Sequence, residues 1–451
     1  MNRPPPPRQF VPALRTALEQ AKGGKRFTFG SIGALAIYVL GAGLAFVTQL
    51  ASARLLGANG FGEYAYVVAW ISLLASLCTL GFQAALLRLL PAYASVGDWA
   101  EARGAAQFAR RVTLAASVAT AIAGSVFVAS TLKERPTLAA AFFIGFAALP
   151  FVASQFVATS TSRAFGGLLL ALAPDKIIRD SVVLVVVCSA AALGAGHTDA
   201  AFVAGAFLVG SVAAFALARA GASRLSPSQL RLAPARYRPR EWLRLSAALI
   251  VVALADNLLS RSGVLALGLT GRNAQAGVFA VSVGFAQLAA MPRMAVAIMF
   301  APSASSLHAL GEIDALQKLL RRAAFLSLAG SLCVAGPLLL AMPLLMPMFG
   351  AEFAGGVTVS AILIGAQIFS ASCGPHQHLL TMTGHERDGA RLLALAACAS
   401  MILCFALLPL MGMTGAAIGM AASQIGWNIA IARTVRRRLN IAPALRGGKG
   451  G

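Results

Sequence analysis

Two pairs of segments decide how this chain is read: "LLGANGFGEYAYVVAW" at 55–70 with "LRLLPAYASVGDWAEARGAAQFARR" at 87–111, and "LALGLTGRNAQAGVFAVSVGF" at 265–285 with "IMFAPSASSLHALGEIDALQKLLRR" at 298–322. Gly62 and Tyr64 of the first pair answer to Gly277 and Phe279 of the second. Pro91 answers to Pro302, Gly97 to Gly311, and Arg110-Arg111 to Arg321-Arg322. The offset between partners stays between 211 and 215 residues. Each copy runs out along an apolar stretch, turns through glycines, returns along a second apolar stretch and ends in a polar amphipathic loop. Ordered Gly, Pro and Arg-Arg matches point to duplication rather than to the general resemblance that a bilayer imposes on apolar segments.

Working outward, the whole chain has the composition of a membrane protein. Of 451 residues 58% are apolar and 12% charged, with a mean hydropathy of +0.78. Soluble domains carry about a quarter charged residues, so a soluble fold of this size could not cover its own surface. A helix needs about 20 apolar residues to cross the hydrocarbon core. By that rule the sequence predicts about twelve spans, near 31–53, 65–90, 108–131, 138–158, 178–196, 200–219, 243–267, 276–301, 323–347, 356–381, 390–409 and 413–433. Residues 159–180 are read as an interfacial segment, because Pro174, Asp175 and Lys176 interrupt the apolar run there.

The fold expected is therefore an all-α polytopic membrane protein, with two six-helix bundles related by a parallel repeat. Six helices separate the two copies, an even number, so both copies share one orientation and the repeat axis lies along the membrane normal. The expected organisation is a cytoplasmic tail over 1–30, a first bundle over 31–222, a basic linker over 223–242, a second bundle over 243–435 and a second tail over 436–451.

The net charge of +22 sits in short gaps between apolar runs, as cytoplasmic loops arrange it, and not on a nucleic-acid-binding face. With both termini placed in the cytoplasm, only Arg54, Lys133, Arg135, Arg261 and Arg272 of the 37 Lys and Arg fall on the other side. A miscount by one helix would scramble that asymmetry. The linker, with Arg224, Arg231, Arg236, Arg238 and Arg240, is expected to lie near anionic membrane lipids.

Several chemistries find no support. The sequence contains no GxxxxGK[ST], HExxH or GxSxG motif, and no CxxC pair among its six cysteines, so neither a catalytic residue, a cofactor nor a metal site is expected. Outward loops of roughly 5 to 15 residues leave little room for the acidic site of a membrane glycosyltransferase or polymerase.

The stretch "ARLLGANGFGEYAYVVAWISLLASLCTLGFQAALLRLLPAY" at 53–93 resembles the opening of the Wzx-like polysaccharide flippases, a branch of the multidrug/oligosaccharidyl-lipid/polysaccharide exporter superfamily. "AQAGVFAVSVGFAQL" (274–288), "MFGAEFAGG" (348–356) with "LLTMTGHERDGARLL" (379–393), and "LLPLMGMTGAAIGMAAS" (407–423) resemble later parts of the same family, in its order. The resemblance implies a two-bundle flippase in the bacterial inner membrane. Its cargo would be an undecaprenyl-pyrophosphate-linked oligosaccharide, moved from the cytoplasmic to the periplasmic leaflet for surface polysaccharide biosynthesis, with polysaccharide polymerase or assembly proteins as further partners. Where many relatives carry an Asp before the second "LG", Arg261 and Ser262 stand here, which leaves the ion-coupling scheme open. Rival readings are a cation-coupled drug or metabolite exporter of the same fold, a membrane glycosyltransferase or polymerase, and a non-transporting assembly scaffold.

A charge at the centre of a membrane helix costs about 2.5–3.5 kcal/mol or more, so each one asks for a reason. Arg54, Arg261 and Arg293 are expected to line a central cavity, where forked guanidinium donors suit a pyrophosphate; snorkelling toward headgroups is the alternative for each. Arg88, near the inner end of the second span, is a weaker candidate and better suited to anchoring topology. Gln49, Gln83, Gln155, Gln287 and Gln367, with Asn257, could bond cargo hydroxyls, and hydrogen bonding between helices is at least as good a reading for each glutamine. Asp256 is the ion-coupling candidate, or else an ion-pair partner for a nearby Arg such as Arg261.

Overall fold

The structure is a computed structural model, describing residues 24–194, 198–383 and 386–439. The expected tails before residue 24 and after residue 439 lie outside the described residues. Twelve helical spans run in succession: α1 (24–56), α2 (58–95, broken at 79–81), α3 (Trp99–Thr131), α4 (Pro136–Ala164), α5 (168–192), α6 (Ala200–Leu225), α7 (Pro239–Leu269), α8 (Asn273–Ala309), α9 (Ile313–Leu345), α10 (356–382, broken at 374–375), α11 (386–411) and α12 (413–439). Gly57 (φ 67°) and Gly412 (φ 59°) turn α1 into α2 and α11 into α12 with almost no loop. We refer to the face carrying the first and last described residues as the near face, and to the opposite one as the far face.

Length and composition make this a multi-pass membrane protein. Nine stretches of the described residues are long and apolar enough to cross a bilayer, and two of them are the hairpins α1–α2 and α11–α12. The twelfth crossing is α5, assembled from Leu168–Ala173, a π-helical turn at Pro174–Ile178 and Arg179–Ala192. Large apolar side chains point away from the protein, among them Phe127, Val185, Leu340 and Leu410. In water they would be a liability, but against lipid they are the expected surface.

The reading of 159–180 as an interfacial segment is corrected here. Residues 159–164 finish α4, and the rest beyond the turn builds the near half of α5, which begins at Leu168 rather than at 178. The helix count and the side of every later loop are unchanged. Charged residues are tolerated inside this span because they face one another and a cavity rather than lipid.

Each half packs mainly within itself. In the first, α4 lies against α6, α3 and α2, and α5 against α6; in the second, α7 lies against α11 and α12, and α8 against α9 and α10. The halves meet almost wholly through α1 and α2 on one side and α7 and α8 on the other. The repeat is visible in backbone detail. Gly97 and Gly311 both sit at φ 74°, a conformation that glycine adopts without strain. Each closes the same turn: Asp98 N donates to Tyr93 O at 3.0 Å, and Glu312 N to Leu307 O at 3.0 Å. Two positions 214 residues apart thus carry one turn twice.

The linker does not hang free. After a short helix at Ser228–Leu232 it crosses the near end of α3, where Arg236 N donates to Ala100 O at 3.0 Å and Arg103 Nη1 to Ala233 O at 2.6 Å. Arg238 pairs with the buried Glu101, and Tyr237 donates to Gln107 at 2.7 Å. Trp242, fully buried at the start of α7, donates its indole N–H to Tyr93 at 3.0 Å. The Glu101 carboxylate beside Arg238 holds that guanidinium above its ordinary range.

Candidate functional site

The site is built where α1, α2, α5, α7 and α8 face one another. A chamber of about 290 Å³ is lined by Gln49 of α1, Tyr64 of α2, Lys176, Arg179 and Asp180 of α5, Asn257 and Arg261 of α7 and Gln287 of α8. A second chamber of about 390 Å³ opens below it, toward the near face, lined by Asp256, Arg293, Gln367, Gln424 and Trp427. Ser260, Val283 and Gln287 belong to both walls, so the two chambers form one cavity. Arg163, at the near end of α4, marks its lower rim.

Local geometry explains how α5 brings Lys176, Arg179 and Asp180 to one wall, with Asp175 paired to the two cations. The π turn has Arg179 N bonded to Pro174 O, an i→i+5 bond. Such single-turn insertions recur at functional sites and rotate the residues that follow. Two glycines let neighbouring helices close on this turn. A Cβ on Gly41 of α1 would stand 2.9 Å from Lys176 O, and one on Gly210 of α6 would stand 2.8 Å from Arg179 O. Thr48 of α1 adds a hydrogen bond to Asp180 O at 3.2 Å.

The charges on this wall are partly spent on one another. Arg179 Nη2 lies 2.8 Å from Asp175, and Lys176 Nζ lies 3.5 Å from the same carboxylate. Asp180 is 3.8 Å from Arg179 Nε. The Phe207 ring lies under the Arg179 guanidinium at 5.4 Å, a cation–π contact that strengthens away from water. Arg261 is different. It faces the same chamber with no hydrogen bond or ion pair to any described residue. Eight residues separate it from the far end of α7, about 12 Å along the axis, so it is a cavity cation and not a snorkelling one.

In the lower chamber Asp256 and Arg293 sit on α7 and α8, coupled electrostatically without touching. Arg293 Nε is buried without a partner. The amides are organised: Gln424 Nε2 donates to Gln367 Oε1 at 3.0 Å and to Ser370 at 3.1 Å, and Asn428 donates to Ser370 at 3.0 Å. Planar amides, a carboxylate, a guanidinium and an indole ring form a surface suited to hydroxyl-rich ligands.

The far end of the cavity is shut. Asn273 Nδ2 donates to Glu63 at 3.3 Å, and Ala58 N, at the start of α2, donates to Glu352 at 2.9 Å. Beneath them Phe46 packs edge-on against Phe285 and Phe349 at 5.2 and 5.5 Å, while Phe61 approaches Phe353 at 6.4 Å. Phe46 and Phe61 belong to the first half, and Phe285, Phe349 and Phe353 to the second. The two halves are therefore closed on each other at the far face.

Of the residues singled out from the sequence, Arg261, Gln49, Asn257 and Gln287 come together in the upper chamber, and Arg293 and Asp256 in the lower. Asn257 is partly engaged, donating to Ser76 at 2.9 Å. Asp256 is coupled to Arg293 rather than to Arg261. Arg54 lies outside the cavity, at the far end of α1, donating from Nε to Met348 O at 2.6 Å. Arg88 also lies outside, on the near face. Sequence reasoning missed Asp175, Lys176, Arg179 and Asp180. Their signal was available as an Asp–Arg pair at i,i+4. No group of three or more metal-ligating side chains occurs among the described residues.

The fold is shared with solved membrane proteins. The chain is similar to an inward-facing multidrug resistance MATE family transporter of the MOP superfamily, at 14% identity and a TM-score of 0.71, covering 91% of this chain and 98% of that one. It is also similar to the lipid II flippase MurJ in an inward closed conformation, at 12% identity and a TM-score of 0.63, covering 91% and 87%. An outward-facing MATE transporter aligns at 15% identity with a TM-score of 0.62, covering 91% and 95%. A comparison with curated proteins found no match. These likenesses define the fold. The family model described as polysaccharide biosynthesis protein matches residues 30–308, and the chain belongs to that family.

Proposed function

We propose that this protein flips undecaprenyl-pyrophosphate-linked oligosaccharide by alternating access, from the cytoplasmic to the periplasmic leaflet of a bacterial inner membrane. In this reading both termini are cytoplasmic and the near face is the cytoplasmic one. The observation that carries it is the unpaired Arg261 guanidinium in a chamber shared with Arg179 and Lys176. A pyrophosphate leaving water needs cations that are already desolvated and aimed. The lower chamber, with its amides and Trp427, suits the sugar, and the polyprenyl tail stays in lipid. The acids of α5, Asp180 on the wall and Asp175 beside it, are matched to Arg179 and Lys176, which leaves little free negative charge there to attract a cationic drug. Asp256 remains the candidate for ion coupling, beside Arg293.

The test is equilibrium binding to purified protein. Undecaprenyl pyrophosphate is expected to bind, and Arg261→Ala to weaken it at least tenfold in a correctly folded variant. Tighter binding of ethidium than of undecaprenyl pyrophosphate, unaffected by Arg261→Ala, would move the protein to the drug-exporter reading.

A further inference from the structure

A cleft of about 580 Å³ lies in the far half of the protein, outside the cargo cavity. Its walls are Tyr66 and Trp70 of α2, Phe127 of α3, Phe142 and Phe146 of α4, and Leu269 of α7. Tyr66 stands edge-on to Phe142 at 5.6 Å and to Trp70 at 6.5 Å, giving an aromatic back wall. The Tyr66 ring also covers Gly268 of α7, where a Cβ would stand 2.1 Å from it. The cleft thus straddles the seam between the two halves. Phe127 and Leu269 are 66% and 50% exposed, so its outer side is open to lipid. Along α3 it extends eleven residues, from Thr131 to Thr120. That is about 17 Å, a little more than half of a hydrocarbon core of about 30 Å, and so the depth of one leaflet.

At the mouth stands Arg135, in the turn between α3 and α4. Its guanidinium lies over the α7–α8 turn, where a Cβ on Gly271 would stand 3.2 Å from Nη2. Its side chain forms no hydrogen bond or ion pair with a described residue. Glu134 beside it is exposed, and Glu63, bonded by Asn273, acts on it only at longer range. Apolarity alone gives no affinity inside a bilayer, because lipid chains are as apolar as the wall. A cleft adds contact: a chain seated between walls from several helices is touched on more than one side, and atoms that line a void lose those contacts. The forked donors of Arg135 add the other half of the fit, a phosphate at the level where the far ends of the helices leave the membrane. A guanidinium that merely snorkels would need no cleft beneath it.

We propose that this cleft binds a phospholipid of the far leaflet, with one acyl chain between α2, α3, α4 and α7 and its phosphate on Arg135. A cleft one leaflet deep suits an acyl chain and not the much longer undecaprenyl chain. The occupant touches both halves at the face where they are closed on each other, and its binding does not depend on what the central cavity carries.

The experiment uses the full chain in liposomes that contain phosphatidylglycerol with a photoreactive diazirine on one acyl chain, and maps the labelled peptides by mass spectrometry. The reference is the end of α9 around Leu340, which is exposed at the far end of the second half. Label on residues 120–146 is expected to exceed that on 337–345 at least fivefold and to be chased by unlabelled phosphatidylglycerol. Ala123→Trp, which fills the cleft from α3, and Arg135→Gln, which strips its mouth, should each lower the label on 120–146 at least threefold. Leu340→Trp, a bulky change on the reference surface, should leave it within twofold. Equal labelling of the two stretches would reduce the cleft to ordinary boundary lipid and overturn the proposal. So would labelling of 120–146 that either cleft variant leaves intact while melting like wild type. Displacement by undecaprenyl pyrophosphate and not by unlabelled phosphatidylglycerol would overturn the phospholipid as occupant.

Discussion

Gly62 and Gly277, equivalent positions in the two halves, pack on each other's helices. A Cβ on Gly62 would lie 1.8 Å from Asn273 O and 2.9 Å from Gly277 N, and a Cβ on Gly277 would lie 2.3 Å from Ala58 O and 3.0 Å from Gly62 N. Each glycine meets the other's backbone in nearly the same way, so the pseudo-twofold axis passes between them at the far face. The duplication seen in the sequence thus brings its two copies into contact at the far face. Only hydrogen fits at either position while the gate is shut.

Gly62→Ala should hold the far gate ajar. Overpacking costs about 1–3 kcal/mol, enough to shift a two-state equilibrium several-fold to a hundredfold. The check is labelling of a cysteine placed at Phe61 in a cysteine-free background, from the far side of oriented vesicles. Labelling is expected to be at least fivefold faster in Gly62→Ala, and an unchanged rate would show that the contact does not set the closed state.

Asp175→Ala should unsettle α5. It strips Arg179 of its 2.8 Å partner and Lys176 of its nearer carboxylate, leaving like charges together in a half-buried site. Breaking a well-buried ion pair costs about 3–5 kcal/mol; this one keeps some exposure, so a fall of several degrees in apparent melting temperature is expected. Arg261→Ala, which removes an unpaired cation, should leave melting unchanged or raise it. Equal falls in both would contradict the assignment of Arg179 as paired and Arg261 as free.

The linker should resist trypsin while latched to α3. Arg231, Arg236 and Arg240 offer cleavage sites, Arg238 being protected by Pro239 after it, yet the Arg236–Ala100 bond and the Arg238–Glu101 pair hold the segment down. Glu101→Gln should raise the initial rate of cleavage within 231–240 by about fivefold, since proteolysis follows the population of the opened segment. Trp242→Phe, which loses only the bond to Tyr93, should have a smaller effect.

Gln287, on the wall common to both chambers, should discriminate by cargo length. Gln287→Ala is expected to slow transfer of a glycan-bearing polyprenyl pyrophosphate about three- to tenfold, the loss of one or two hydrogen bonds to sugar. Binding of undecaprenyl pyrophosphate without sugar should hold within twofold. Equal losses for both would place Gln287 in the phosphate site instead.

Most of the architecture was legible because lipid makes it so. Long apolar runs have few places to go, and the matched Gly97 and Gly311 turns announced the repeat. The failure at 159–180 has a physical cause. Pro174 and the adjacent charges break the pattern of a lipid-exposed span, but α5 shows its charges to Arg179's partners and to the cavity, where hydropathy no longer measures cost. Arg261 and Arg293 could be found because an unexplained charge inside an apolar run stands out. Arg54 looked similar in sequence, yet it sits one turn from the Gly57 bend, close enough to the far end to reach Met348. Whether Arg54 faces the cavity depends on where α1 ends, a boundary that sequence places only to within several residues. Gln367 stood out as a polar residue inside a span, but the set it forms with Gln424 and Ser370 was invisible because its members come from helices far apart in the chain.

The central claim is that cations of this cavity carry a pyrophosphate-linked lipid between leaflets. It is tested most directly by leaflet transfer in proteoliposomes, with a polyprenyl-pyrophosphate oligosaccharide, wild type and an Arg261→Ala/Arg293→Ala variant of matched yield and melting behaviour. Transfer by wild type that falls at least tenfold in the variant, with partial recovery in Arg261→Lys/Arg293→Lys, is the expected result. Absence of transfer by wild type with and without an imposed proton or sodium gradient, or transfer that the double variant leaves intact, would contradict it.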